Sequence, residues 1–425
     1  MEFFFHMKIT ELYKIYLNYP IISTDSRNII KDSIFIALKG DNFNGNKYAE
    51  QAIKKGSKYA IIDDSKFKKN GNYIVVKDGL KCLQELAKYH RDQLSIPVIA
   101  ITGTNGKTTS KELINSCLSM ELETAATKGN LNNHIGVPLT ILEINKNHQI
   151  AIIEMGANHE KEISFLCEIA KPNYGIITNI GKAHLEGFKD IEGVRKTKKE
   201  LYDYIYKKNG KVFINNNDNI LNDIAKNINC ISYGKKGETN GVLKNSNPYV
   251  SVLYNEIEIS TNLIGEYQFE NIMLAICVAN YFKIDKKNIK RAISEYRPDN
   301  NRSQVIQTAT NTVILDAYNA NPSSMQKMIE SFYKIKKQNK ICILGEMGEL
   351  GDFSKKEHLS IIELVQKLNL TTFYIGKEFV NLKKSNSFLT VEHFNKHVEK
   401  NSIRNSTILL KGSRSVALEK VITQL

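Results

Sequence analysis

Short apolar runs recur along the chain, each bounded by a polar or glycine-rich turn and separated from the next by a helical pattern. The runs lie at residues 98–102, 150–154, 175–179, 312–316, 341–345, 372–376 and 407–411. Because they are apolar at nearly every position, they indicate strands that are buried on both faces of a parallel sheet covered by helices. The sequence therefore predicts an α/β protein.

Length and turn-rich segments predict the domain organisation. A chain of 425 residues exceeds the usual size of one compact domain. We expect one boundary near residues 94–97, where a helical pattern ends, and another in the turn-rich segment 296–301, which contains Pro298. The prediction is three domains, at residues 1–95, 96–297 and 298–425.

Composition narrows the classes of function. Hydrophobic residues make up 42% and charged residues 24%, the balance of a soluble globular protein. The net charge of +14 fits a solvated surface or an acidic ligand such as a nucleotide. No arginine-rich block and no basic stretch interleaved with aromatic residues is present, so we expect no nucleic-acid partner.

The cysteines and the apolar segments predict a cytoplasmic protein. The six cysteines are far apart and form no CxxC pair, as is usual for buried thiols of a reducing compartment. No apolar run approaches the roughly 20 residues of a membrane helix, and the aromatic run at residues 3–5 is too short for a signal-peptide core. We expect no membrane insertion, and both Met1 and Met7 are candidate starts.

A strand, a glycine turn and a helix start follow one another at residues 99–109, Ile-Ala-Ile-Thr-Gly-Thr-Asn-Gly-Lys-Thr-Thr. Glycines let backbone amides converge on phosphate oxygens, the helix N-terminus adds partial positive charge, and Lys107 supplies a full charge. Thr108 offers a hydroxyl to Mg²⁺. The spacing departs from the common GxxxxGK[ST] form, because Gly103 lies three positions before Gly106. The segment predicts a site for a nucleoside triphosphate.

This shortened loop resembles that of the Mur ligase superfamily, which also holds folylpolyglutamate synthetase and cyanophycin synthetase. Further segments that resemble the superfamily follow in order at residues 24–27, 35–40, 130–138, 154–158, 179–188, 316–324 and 411–415. The resemblance implies an ATP-dependent ligase that forms an acyl phosphate. It also implies an N-terminal UDP-sugar-binding α/β domain, a central P-loop ATPase domain with a mostly parallel sheet, and a C-terminal Rossmann-like α/β domain for the amine substrate.

The resemblance also implies residues for each ligand. The residues that it assigns to ATP are Gly103, Thr104, Asn105, Gly106, Lys107, Thr108, Thr109, Asn271, Arg302 and Asp316. The residues that it assigns to the UDP substrate are Thr24, Asp25, Ser26, Arg27, Asn130 and Asn132. The amine substrate is assigned to Asn319 and Asn321.

Catalysis and magnesium binding are assigned in the same way. The implied catalytic residues are Lys107, Glu154, His184 and Lys198, and the implied metal ligands are Thr108, Glu154, His184 and carbamylated Lys198. On chemistry alone an imidazole is an unusual magnesium ligand. The run that contains Lys198 is, by itself, typical of a solvated helix face, and Lys196 and Lys199 remain alternative registers.

The segment Asp-Ala-Tyr-Asn-Ala-Asn-Pro at residues 316–322 resembles the superfamily members that join D-alanyl-D-alanine to UDP-N-acetylmuramoyl-tripeptide in peptidoglycan synthesis. Two positions depart from the pattern: Gln268 stands where Asn is usual, and Glu346 where Asp is expected. The resemblance implies a monomer that uses ATP and Mg²⁺, with diaminopimelate or lysine as third residue of the peptide. The alternatives are the ligase that adds the third amino acid, a polyglutamate synthetase, and a nucleotide-binding regulatory protein without the chemistry.

Overall fold

The computed structural model describes residues 7–183, 185–382 and 385–425. The candidate start Met1 and the predicted catalytic and metal-binding residue His184 lie outside the described residues. The chain divides into two compact units. One consists of the residues up to 101 with residues 122–157 and 161–175, and the other of residues 102–121, 158–160 and 176–425.

The N-terminal part of the chain is built on a small parallel sheet. Its elements are, in chain order, α1 (Ile9–Asn18), β1 (Ile22–Ser23), β2 (Ile34–Ile36), β3 (Lys39–Gly40), β4 (Phe43–Asn44), α2 (Ala49–Lys54), β5 (Tyr59–Ile62), β6 (Tyr73–Val75) and α3 (Gly79–Asp92). The sheet order is β1-β2-β5-β6, with parallel pairs throughout. Helix α3 begins where the Asp78 side chain accepts a hydrogen bond from the Lys81 amide, the usual N-cap arrangement.

The middle of the chain holds a six-stranded sheet. Its elements are β7 (Val98–Thr102), α4 (Lys107–Leu118), β8 (Thr124–Ala126), α5 (Gly136–Leu142), β9 (Ile150–Glu154), α6 (Glu162–Ala170), β10 (Tyr174–Ile177), α7 (Leu185–Phe188), α8 (Ile191–Lys207), β11 (Lys211–Asn215), α9 (Asn219–Ile224) and β12 (Asn229–Tyr233). The strand order is β12-β11-β10-β7-β9-β8. Every residue of β7 and β9 is buried, as expected for strands covered on both faces.

An antiparallel sheet and two helices follow. They are β13 (Val242–Ser246), β14 (Tyr249–Tyr254), β15 (Ile257–Ile264), α10 (Gln268–Tyr281) and α11 (Lys286–Glu295). The sequence analysis did not predict this sheet, in the order β13-β14-β15. Strand β15 alternates between buried and exposed positions along part of its length and β13 has no buried residue, so neither has the continuous apolar run used to find the others.

The C-terminal part of the chain forms a second six-stranded sheet. Its elements are β16 (Gln304–Gln307), β17 (Thr312–Asp316), α12 (Pro322–Lys334), β18 (Lys340–Gly345), α13 (Ser354–Lys367), β19 (Thr371–Ile375), α14 (Lys377–Asn381), β20 (Ser387–Phe388), α15 (Val391–Lys400) and β21 (Thr407–Lys411). The order is β16-β17-β21-β18-β19-β20, parallel except for the edge strand β16. Ile314 packs in one apolar cluster with Met325, whereas Val313 packs in another with Phe394, so both faces are covered.

The predicted α/β class is confirmed, and the predicted strands lie where the apolar runs are. Four of the seven predicted strands, at residues 98–102, 150–154, 312–316 and 407–411, have the predicted bounds. Strand β10 ends at Ile177 rather than at residue 179, and the side chains of Thr178 and Asn179 beyond its end bond the neighbouring glycine loop.

All six cysteines are free thiols and lie within the described residues; five are buried and Cys230 is exposed. None of the helices described is both long and apolar enough to cross a membrane.

Candidate active site

The loop between β7 and α4 requires glycine at two positions. Gly103 has φ of +143°, and a Cβ atom there would lie 2.0 Å from Thr178 Oγ1. Gly106 caps α4 with φ of +79°, and a Cβ atom there would lie 2.7 Å from Asn271 Oδ1. Any other residue would be strained at such φ angles. The glycines therefore allow both the sharp turn and the close packing of the loop. The predicted order of strand, glycine turn and helix is present.

The tip of this loop is held by the residues that follow β10. The amides of Thr104 and Asn105 donate to the Asn179 backbone oxygen and to Asn179 Oδ1, both at 3.0 Å. Asn179 Nδ2 and Thr178 Oγ1 donate in turn to the Asn105 carbonyl at 2.9 and 2.6 Å. The amides of Thr104 and Asn105 are therefore engaged within the protein, which leaves the helix start, from Gly106 onward, as the part of the loop suited to phosphate.

Lys107 and Thr108 lie in the first turn of α4, next to the glycine loop. Lys107 Nζ donates to the carbonyls of Gly103 at 2.7 Å and Thr104 at 3.2 Å, so the ammonium lies against the loop. Thr108 is buried in the first turn of α4, where its hydroxyl is close to the helix N-terminus. The arrangement brings a cation and a hydroxyl together at the positive end of a helix, which is suited to a polyphosphate.

The first turn of α10 packs directly against the glycine loop. Asn271 accepts a hydrogen bond from Ser110 Oγ at 3.0 Å and donates to Gln268 Oε1 at 2.7 Å. Both amide side chains are buried. Gln268, which departs from the family pattern, is thus the partner that orients Asn271.

A cluster of charged groups lies at the carboxyl ends of β17 and β21, where Asp316 and Lys411 are paired in register. Lys411 Nζ lies 2.6 Å from Asp316 Oδ2, and the Lys411 side chain is only 2% exposed. The Ser303 amide donates to Asp316 Oδ1 at 3.1 Å. Tyr267 joins this cluster through a 3.2 Å hydroxyl contact with Ser303, and burial, followed by the nearby Asp316 charge, raises the pKa of Tyr267.

Two arginines share one tyrosine ring beside this cluster. The Arg302 guanidinium carbon lies 3.8 Å from the centroid of the Tyr318 ring, and that of Arg414 lies 5.3 Å from it. Stacking on an aromatic face fixes the plane of a guanidinium while its N–H groups stay available for an anion. Within the described part of the chain, Arg302 Nε is buried and has no hydrogen-bond partner.

Asn319 and Asn321, the predicted amine-substrate residues, lie in different environments. Asn319 is exposed, and among the described residues its Oδ1 accepts a hydrogen bond from the neighbouring Ala320 amide alone, at 2.9 Å. Asn321 is buried and caps α12, where its Oδ1 accepts the Ser324 amide at 2.9 Å. Asn319 is accordingly the more accessible of the two.

Glu154 ends β9 as a buried carboxylate. Asn132 Nδ2 donates to Glu154 Oε1 at 2.8 Å, and the Glu154 amide donates to Thr127 Oγ1 at 2.9 Å. Asn130 is exposed on the same loop as Asn132. A buried carboxylate oriented by an amide is a suitable ligand for a hard cation.

Burial separates Lys198 from the neighbouring lysines of α8. Lys198 is 2% exposed, and its Nζ lies 5.7 Å from the centroid of the Phe188 ring. Lys196 instead forms an exposed ion pair with Glu160 at 2.8 Å, and Lys199 forms one with Asp203. Of the three registers left open by the sequence, Lys198 is the one on the inward face of the helix.

The predicted uridine-binding segment, residues 24–27, is ordered by its own ion pair. Arg27 contacts Asp25 with two nitrogens, Nε to Oδ1 at 2.9 Å and Nη2 to Oδ2 at 2.8 Å. The side-chain hydrogen bond from Arg27 lowers the pKa of Asp25 to about 2. Lys55 Nζ donates to the Ser26 carbonyl at 3.0 Å, while Thr24 is half-buried.

Three family models match the chain along most of its length. They are the Mur ligase family catalytic domain at residues 18–91, the Mur ligase middle domain at residues 101–279, and the Mur ligase glutamate ligase domain at residues 301–414. UDP-N-acetylmuramoyl-tripeptide--D-alanyl-D-alanine ligase of Buchnera aphidicola subsp. Baizongia pistaciae (strain Bp) is 34% identical over 95% of this chain and 92% of its own length. The chain belongs to the Mur ligase family.

Solved structures of Mur ligases have the same three-domain α/β fold. MurF from Acinetobacter baumannii is 29% identical with a TM-score of 0.84, over 95% of this chain and 92% of that protein. MurF ligase from Thermotoga maritima, solved in complex with ADP, is 25% identical with a TM-score of 0.82, over 96% of this chain and 97% of that protein. The expected family and fold are confirmed, whereas the predicted domain boundaries and site residues stay predictions.

The second departure from the family pattern, Glu346, has a structural role in this Mur ligase. Glu346 Oε2 accepts the Glu378 amide at 3.1 Å in the first turn of α14. A Cβ atom on Gly376, which has φ of +130°, would lie 2.5 Å from that oxygen. The loop is also held by His358, whose Nε2 accepts the Met347 amide at 2.9 Å, and burial lowers the pKa of that histidine.

The sequence analysis missed three residues that hold predicted site residues in place through direct contacts. Thr178, Tyr318 and Arg414 were not assigned a role, although all three lie in or next to segments that resemble the family. Their place in or next to those segments was the signal that the sequence offered. Their function as supports follows only from tertiary contacts.

Proposed function

We propose that this Mur ligase joins D-alanyl-D-alanine to UDP-N-acetylmuramoyl-tripeptide, with cleavage of ATP to ADP and phosphate, and gives the pentapeptide precursor of peptidoglycan. The observation that carries the proposal is similarity to relatives of that name over 95% of the chain. The glycine loop supports use of a nucleotide, as does the ADP bound to the similar ligase of T. maritima.

ATP is proposed to occupy the glycine loop and the arginine beside it. A buried N–H without a partner costs about 1–3 kcal/mol, so a phosphate oxygen at Arg302 Nε would offset an existing penalty. The Arg302 Nε–H group, which has no partner among the described residues, is the feature that best fits a polyphosphate. The proposed ATP-binding residues remain Gly103, Thr104, Asn105, Gly106, Lys107, Thr108, Thr109, Asn271, Arg302 and Asp316.

Magnesium is the proposed metal. Among the described residues, no group of three or more His, Cys, Asp or Glu side chains is placed to hold a metal ion. The buried Thr108 hydroxyl and Glu154 carboxylate are nevertheless oxygen donors of the kind that magnesium prefers. We propose that both are ligands, with Lys198 in its carbamylated form and His184, and that the ion offsets charge on the ATP phosphates.

The proposed chemistry has two steps. A carboxylate oxygen of the tripeptide attacks the γ-phosphorus of ATP, which breaks the bond to ADP and gives an acyl phosphate. The free amine of D-alanyl-D-alanine then attacks the acyl carbon, phosphate leaves, and the ammonium loses a proton to solvent. Lys107 and Arg302 offset the charge that spreads over the transferring phosphoryl group, so that catalysis is mainly positioning and electrostatics.

The UDP substrate and the amine substrate are proposed to bind to different parts of the chain. Residues 1–95 would hold the UDP end through Thr24, Asp25, Ser26 and Arg27, with Asn130 and Asn132 from the following domain, residues 96–297. The C-terminal domain, residues 298–425, would hold the amine through Asn319, whose exposure supports this role. Asn321, the other residue that the resemblance assigns to the amine, is buried at the start of α12. We further propose that the enzyme acts as a cytoplasmic monomer.

The test is ADP release by the purified 425-residue chain with Mg²⁺. We expect release only when ATP, a UDP-N-acetylmuramoyl-tripeptide and D-alanyl-D-alanine are all present, and L-alanyl-L-alanine serves as the matched amine control. Tripeptides with lysine and with diaminopimelate are assayed side by side. ATP turnover that is indifferent to both substrates would contradict the proposal. Turnover with the UDP-dipeptide and a free amino acid would instead identify a ligase for the third residue.

A further inference from the structure

The glycine loop is bonded by side chains from the start of α12, more than 200 positions later in the chain. Asn321 Nδ2 donates to Asn105 Oδ1 at 2.8 Å, with a sequence separation of 216 residues. Asn105 Nδ2 donates to Ser323 Oγ, also at 2.8 Å. The tip of the nucleotide loop is thereby joined to the segment that carries Asp316 and the exposed Asn319.

Both polar atoms of the Asn321 amide have partners within the protein. Its Oδ1 accepts the Ser324 amide and Ser323 Oγ, both at 2.9 Å, and its Nδ2 bonds Asn105. The residue is 7% exposed. These contacts orient the amide towards the loop, and contact with a substrate would require it to give up one of them.

Asn105 is consequently held from two sides. Residues 178–179 bond its backbone amide and carbonyl, and residues 321 and 323 bond its side chain. A separate contact pairs Lys182 Nζ, in the segment after β10, with the buried Glu357 carboxylate of α13 at 2.9 Å. The position of the loop tip therefore depends on the segment at the start of α12.

We propose that Asn321, assisted by Ser323, is a positioning residue that sets the glycine loop through Asn105, so that phosphoryl transfer depends on the placement of residues 316–324. The inference rests on the proposed function. Productive geometry in phosphoryl transfer requires reacting groups to be held within a fraction of an ångström, so loss of this link lowers kcat. Loss of the link leaves the affinity for the amine substrate nearly unchanged.

Asn321→Ser is the decisive variant. Serine keeps a hydroxyl that can cap α12 but is too short and lacks the N–H group to reach Asn105. We expect kcat for ADP release to fall about tenfold, with the KM for D-alanyl-D-alanine within about twofold of the wild type. Gln326→Ala is the matched control, because Gln326 is exposed on the same helix and bonds Glu330 at 2.9 Å, away from the glycine loop. It should keep the wild-type kcat.

A double-mutant cycle tests whether Asn321 acts on kcat through Asn105. Asn105→Ala removes the other end of the link, so Asn321→Ser should have less than about a twofold further effect in that background. Ser323→Ala, which leaves the Asn321 cap in place, should lower kcat about threefold. This second variant tests the link even if Asn321→Ser folds poorly.

Specific outcomes would overturn the inference. A direct role in amine binding would raise the KM for D-alanyl-D-alanine in Asn321→Ser, and Asn105→Ala would not suppress that rise. Wild-type kcat in both Asn321→Ser and Ser323→Ala would leave the link with a structural role alone. The proposed function fails separately, when the wild-type enzyme itself releases no ADP that depends on both substrates.

Discussion

The ion pair between Asp316 and Lys411 gives a prediction about stability that can be worked from the structure. The two side chains are 16% and 2% exposed and lie 2.6 Å apart. In Asp316→Asn the buried ammonium loses its counter-charge and keeps neutral acceptors, the new amide oxygen and the Asn319 carbonyl at 3.4 Å. Breaking a buried pair in this way costs about 3 kcal/mol. At about 1.4 kcal/mol for each factor of ten, the ratio of folded to unfolded protein should fall about a hundredfold.

Removing the other partner should cost less. In Lys411→Met, the Asp316 carboxylate keeps the Ser303 amide and some contact with water, so we expect a loss of about 1–2 kcal/mol. The double variant should lose less than the sum of the two, because the uncompensated charge is gone. The measurement is the urea midpoint of each variant by circular dichroism. A wild-type midpoint for Asp316→Asn, or strictly additive losses, would refute this reasoning.

Three further predictions concern burial, backbone and pH. Lys198→Ala should lower the rate of ADP release at least about a hundredfold, while the exposed control Lys196→Ala stays within about twofold of wild type in the same assay. Gly103→Ala should weaken ADP binding more than about tenfold by calorimetry, because the residue has φ of +143° and no room for a Cβ atom. Burial lowers the pKa of His358, so its contribution to stability is present above the ordinary histidine value of about 6.5 and is lost as pH falls below it. The unfolding free energy of His358→Gln should therefore fall less than that of wild type from about pH 7 to about pH 5; an equal fall in both would contradict the assignment.

The parts of the site that could be predicted from the sequence are those whose chemistry is local. Six consecutive positions contain the two glycines, Lys107 and Thr108, and a strand and a helix flank them. The local sequence is therefore enough to predict a phosphate-binding loop. Asp316 and Lys411 end two of the predicted strands, at residues 312–316 and 407–411, and parallel strands bring their carboxyl ends to one edge.

The remaining features depend on contacts that no local pattern records. Lys196, Lys198 and Lys199 are alike in sequence, and only packing beside Phe188 distinguishes the buried one. The link between Asn105 and Asn321 spans 216 residues and involves two ordinary amide side chains. Such pairs can be inferred only when the fold has brought them together.

The exposed thiol of Cys230 offers a single position for chemical labelling. The other five thiols are buried, so a maleimide dye should attach to β12 alone. Partial burial raises the pKa of the Cys230 thiol, so coupling should be faster in mildly alkaline buffer. The chain has 20 tyrosines and no tryptophan, so its own fluorescence lies in the ultraviolet, and a dye that emits visible light would add a separate signal.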